Sequence, residues 1–194
     1  MTFADVAQRV GLNTTSVTYY FKRKEDLAAA CFEYTLEQLQ LMLEDAMKQP
    51  TPQQRVARYL AINMDRLARI QRGEATSFAV LSDLRAMEEP VRGRLMTGWR
   101  DVFRRTRALW GPGETRAETD LNGARAHVLL ENTFWLPIWL VRYDPDQFDR
   151  VEQRLMAVFS QGIAPSGAAW APARIDLDPD EAEPGREAFL LAAT

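Results

Sequence analysis

The chain has 194 residues, 46% hydrophobic and 26% charged, with a net charge of −3. These values are ordinary for a globular protein and exclude wholesale disorder and a chain that coats nucleic acid through bulk charge. The longest strongly apolar stretch, Thr133 to Val141, is about half of the roughly 20 residues a membrane span needs, so no membrane partner is expected.

Apolar residues recur at three- and four-residue steps almost throughout, which predicts an all-α chain. Thr2 caps a short helix with Phe3, Val6, Ala7 and Val10 on one side, and Gly11 ends it. Asn13 caps a second short helix, with Val17 and Phe21 inward and a hydroxyl-rich outer face of Thr14, Thr15, Ser16, Thr18 and Tyr19. A long helix follows from Lys24 to about Lys48, with an apolar stripe of Leu27, Cys31, Tyr34, Leu39, Met42, Leu43 and Ala46. Thr51-Pro52 restarts the chain as a capped helix that ends near Gly73. A further segment from about Thr76 to Met87 presents Phe78, Leu81 and Leu84, and Pro90 opens another that runs to Trp110. Gly111-Pro112-Gly113 breaks the chain sharply. The most apolar helix is expected over about 119–142, kinked at Pro137, and Asp144-Pro145 caps a final amphipathic helix to Gly162. Residues 164–186 read as a proline-rich acidic linker, and Arg186 to Thr194 turns apolar and helix-prone again.

Charge is unevenly placed. Residues 1–24 carry Arg9, Lys22, Arg23 and Lys24 against Asp5 alone, which is where a DNA backbone would dock. The single cysteine, Cys31, and single histidine, His127, exclude an intrachain disulfide and a multi-histidine or thiolate metal cluster, so no metal and no cofactor is expected. Cys31 reads as a packed small hydrophobe. With no secretory signal at the start, a cytoplasmic location is expected. No glycine-rich phosphate loop or Ser-His-Asp set is present, so an enzyme is not expected.

Thr2, Val6-Ala7, Gly11, Asn13, Val17, Tyr19-Tyr20-Phe21 and Lys24-Glu25-Asp26-Leu27 stand in register with the DNA-reading segment of the TetR/AcrR family, and this stretch resembles that family. The resemblance implies a helix-turn-helix at 1–46, here without the family's usual first helix, followed by a ligand-binding and dimerisation domain at 47–163 and a linker with a short helix at 164–194. It implies that Thr14, Thr15, Ser16, Thr18 and Tyr19 face base edges or nearby phosphates, and that Thr2, Tyr20 and Lys24 meet phosphates. Thr18 stands where the family usually carries a phosphate-contacting tyrosine. Residues 186–194 resemble the start of a family first helix, which admits a reading as one piece of a tandem double-repressor frame.

Phe78, Trp99, Phe103 and Trp135, with His127 and Asn132 as polar groups, are candidates for lining a small-molecule site; their alternative is ordinary core. The arginines of the 90–110 segment read as a solvated face, with an anionic ligand as the alternative. The last two helices resemble the family's dimer pair, with Phe148, Val151, Leu155 and Val158 as interface positions unless they pack inward. The function expected is a homodimeric transcriptional repressor that binds a palindromic double-stranded DNA operator and is released by a small-molecule effector. A helical dimerisation or ligand-binding module that no longer binds DNA is the alternative.

Overall fold

Local capping sets the helix starts. In the computed structural model, which describes residues 2–161, the helices are α1 (Phe3–Arg9), α2 (Thr14–Tyr20), α3 (Lys24–Met47), α4 (Pro52–Gln71), α5 (Val91–Ala108), α6 (Arg116–Trp139) and α7 (Phe148–Gln161). No strand occurs among the described residues, and the fold is all-α as expected. Side chains of Thr2, Asn13, Thr51 and Thr115 accept from the amides of Asp5, Ser16, Gln54 and Glu118, each satisfying a donor that a helix start leaves free. Gly11 adopts φ 68°, a left-handed turn that any Cβ would strain, and so separates α1 from α2.

Four helices carry the main core. Phe32, Leu36, Leu39 and Leu43 of α3 meet Val56, Tyr59 and Leu60 of α4, Leu95, Val102 and Leu109 on or beside α5, and Leu129 and Leu130 of α6. A second cluster joins Met64 and Ala68 of α4 to Leu136 and Leu140 and to Phe148 and Val151 of α7. Thus α7 is fixed through its first turns.

Four expectations are corrected. The α3 stripe is rotated in its first half: Ala29, Phe32, Thr35 and Leu36 face inward, whereas Tyr34 and Cys31 are exposed, so Cys31 is not a packed hydrophobe. The segment 76–87 is not an α-helix. Residues 76–80 have no regular structure and Leu81–Ala86 form a 3-10 turn, because the Ala79 amide donates to the Thr35 hydroxyl (3.0 Å) and the Thr76 carbonyl accepts from Arg66 (3.0 Å). Tertiary bonds occupy the groups a helix would pair internally. The sixth helix starts at Arg116 rather than 119, since Thr115 and Glu118 form a reciprocal capping box. Asp144-Pro145 opens a short 3-10 turn that precedes α7.

The expected linker and tail at 164–194 lie outside the described residues. No helix among those described is long and apolar enough to cross a membrane. No group of three or more potential metal ligands occurs among them.

Candidate nucleic-acid interface and regulatory core

The hydroxyl-rich outer face of α2 survives folding. Val17 is 6% exposed, and the positions opposite it on a helix are Thr15 and Tyr19, one turn apart. Tyr19 and Tyr20 are 73% and 75% exposed, with ring centroids 5.1 Å apart in an edge-to-face pair. Exposure of two adjacent large aromatics runs against burial economy and marks a contact surface.

The remaining hydroxyls are partly committed. Ser16 Oγ donates to the Asn13 side chain (2.8 Å), and Thr18 Oγ1 donates to the carbonyls of Thr14 and Thr15 (3.1 Å each). Thr14 and Thr15 are exposed. Thr2 Oγ1 accepts from the Asp5 amide (3.1 Å). The Thr2 amide and hydroxyl in turn hold the Asp5 carboxyl below its usual range.

Cations flank this face. Lys22 Nζ donates to the Thr18 carbonyl (3.2 Å) and lies 5.9 Å from the Tyr19 ring centroid. Arg23 pairs with Asp26 at 3.1 Å. Lys24, the first residue of α3, is exposed and makes no hydrogen bond or ion pair with the described residues. On the other side of the unit, Val10 and Leu12 are exposed while Phe3, Val6 and Phe21 are half-buried.

The predicted ligand residues divide: Phe78, Trp99 and Phe103 pack against the main core, whereas Trp135 and His127 are exposed. Trp99 packs on Phe134 (5.5 Å between centroids), Phe103 on His127 (4.4 Å), and Phe78 lies under the Arg66 guanidinium at 3.9 Å. Trp135 is on the outer face, 59% exposed, and lines no interior site. His127 is exposed as well. Among the described residues, three buried side-chain polar atoms lack a hydrogen bond: Tyr59 Oη, Arg66 Nε and Asn132 Oδ1. Tyr59 is fully buried with its hydroxyl toward Thr133 and Asn63 but without a bond of normal geometry, and burial raises its pKa. Tyr59, Asn63 and Arg66 are spaced four and three residues apart on one face of α4.

Of the predicted interface positions, Phe148 and Val151 pack inward, Leu155 is half-buried, and Val158 is exposed. Sequence reasoning missed the larger exposed stripe: Leu121, Val128 and Trp135 at seven-residue intervals on α6, continued by Ile138 and Val141. That spacing was the available signal.

No protein-family model matches the chain, and no curated protein matches it in sequence. Solved structures do. A TetR-family transcriptional regulator from Bordetella parapertussis superposes with TM-score 0.63 at 16% identity, over 84% of this chain and 85% of its own. The TetR-family regulator PfmR from Thermus thermophilus gives 0.61 at 15%, over 85% and 90%. AibR, solved with isovaleryl coenzyme A and operator DNA, gives 0.59 at 13%, over 81% and 86%. The chain therefore has the all-α fold of the TetR/AcrR-type transcriptional regulators.

Proposed function

We propose that this protein is a transcriptional repressor that binds operator DNA as a homodimer and is released by a small-molecule effector. The observation that carries the reading is the outer face of α2, with Thr15 and Tyr19 opposite the buried Val17, joined to an unpaired Lys24 at the start of α3. A short helix of this kind fits the roughly 12 Å major groove. Thr14, Thr15 and Tyr19 contact base edges or adjacent phosphates. Lys24, Tyr20 and Thr2 hold the backbone, and Ser16 and Thr18 contribute through whatever capacity their internal bonds leave. Residues 1–46 form the reading unit and 47–163 the regulatory unit.

Dimerisation uses the exposed stripe Leu121, Val128, Trp135 and Ile138 of α6 together with Val158 of α7. A twofold interface presents the same stripe from both chains and sets two recognition helices about 34–36 Å apart, one turn of DNA. The operator is then palindromic. Effector binding engages the interior between α4, α5 and α6, near Phe78, Trp99 and Phe103 and the unpaired Tyr59 hydroxyl. Since α3 runs from Lys24 into the core through Leu43, a shift of α3 moves α2 with it, and the effector selects the DNA-incompetent population. AibR's coenzyme A ester and operator give a precedent for one fold serving both partners.

The test is selection of bound duplexes from a random pool by the full chain at moderate salt, followed by footprinting. A palindromic consensus protected on one face of the duplex is expected. Failure to enrich any sequence over a scrambled pool overturns the reading.

A further inference from the structure

A cleft of about 650 Å³ opens where α4 begins and α5 ends, and none of the residues assigned to the reading face or the interior aromatics lines it. Arg55, Arg104 and Arg107 line it with no acidic residue among its walls, and Met47, Ala108 and Pro112 supply apolar surface. Asn122, 6% exposed, and Thr119 close the side toward α6.

The arginines come from two helices and hold different states. Arg55 is fixed by donating from Nε to the Gln49 carbonyl (2.8 Å), so its guanidinium is pre-oriented at low entropic cost. Arg104 shares the Asp101 carboxylate with Arg105, and those two hydrogen bonds hold that carboxyl below its usual range. The Arg107 side chain, one turn from Arg104, makes no hydrogen bond or ion pair among the described residues. The opposite wall is equally specific: a Cβ on Gly113 would stand 2.6 Å from the Thr119 amide nitrogen, so only glycine lets this turn close against α6.

Arg104 is already paired with Asp101, but Arg55 and Arg107 face the same concavity with no carboxylate partner among the described residues, and guanidiniums match phosphate oxygens in bidentate geometry. A monoanion leaves half of that charge uncompensated, while the apolar walls favour an organic body over a bare ion. We propose that this cleft is a second ligand site, distinct from the interior effector region, and that it takes a small organic phosphate.

The probe is phenyl phosphate, titrated into the full-length chain by calorimetry beside inorganic phosphate and phenol. One site per chain is expected, at least tenfold tighter for phenyl phosphate than for either fragment. Arg107→Gln, which breaks no internal bond, weakens it at least tenfold, and Arg107→Lys restores part of the loss. Arg92→Gln, at the far end of α5, leaves it unchanged, and unfolding midpoints of both variants report that the fold is intact. Absence of saturable phenyl phosphate binding at millimolar concentration overturns the proposal, as does binding that is the same in Arg107→Gln or equal to that of phenol.

Discussion

Replacing Lys24 by alanine separates a phosphate contact from a structural role, because its side chain makes no hydrogen bond or ion pair among the described residues and only a minor charge interaction with the exposed Asp5. Each protein cation that neutralises a phosphate releases condensed counterions, and log K falls with log salt by about 0.9 per contact. A twofold dimer places two copies of Lys24 on the operator, so the slope should fall by about 1.8. Taking the contact as purely ionic, with no contribution at 1 M salt, two contacts at 0.1 M amount to roughly 60-fold in affinity. Lys48, about 35 Å along the same helix by its rise per residue and paired with Asp45 at 3.0 Å, is the matched control. It lies several Debye lengths from the reading face at 0.1 M and should change neither slope nor affinity. Fluorescence anisotropy on the selected operator from 50 to 300 mM salt measures both quantities. An unchanged slope in Lys24→Ala, or an equal loss in Lys48→Ala, would refute the placement of α2 and α3 on DNA.

Tyr59→Phe removes a buried hydroxyl without a bond and should stabilise the chain by about 1 kcal/mol, or roughly 2–4 °C in thermal midpoint. A lowered midpoint would mean that the hydroxyl is satisfied. Leu43→Ala, at a fully buried site between helices, should cost about 2–5 kcal/mol in urea unfolding. Trp135→Glu on the exposed stripe should leave the midpoint of dilute protein near wild type yet yield monomers by light scattering; persistence of the dimer would move the interface elsewhere. Burial, and next Asp149, raise the Glu152 pKa in the folded chain. Its ionised form is therefore disfavoured by folding, a penalty complete above the folded pKa and absent below the unfolded one. Glu152→Gln should stabilise at neutral pH, with the gain vanishing as pH falls through that window; a gain that persists in acid would assign the effect to packing instead.

Features that depend on a few neighbouring residues were determined by the sequence alone. Thr2 with Asp5 and Asn13 with Ser16 close their caps within three residues, so the starts of α1 and α2 and the hydroxyl face of α2 could be read directly. The all-α class followed from periodicity for the same reason. Tertiary structure decided what depends on distant partners. Residues 76–80 escape a helix because Thr35, 44 residues earlier, takes the Ala79 amide. Phe148 and Val151 point inward because Met64 and Leu136 are there to receive them, while Val128 and Trp135 are left outward on a helix apolar on nearly every side. The arginine cleft is likewise assembled from position 55 on one helix and positions 104 and 107 on another. Periodicity identifies a buried face only when a helix has a single apolar stripe; where apolar residues surround it, the neighbours that pack first choose which remain exposed.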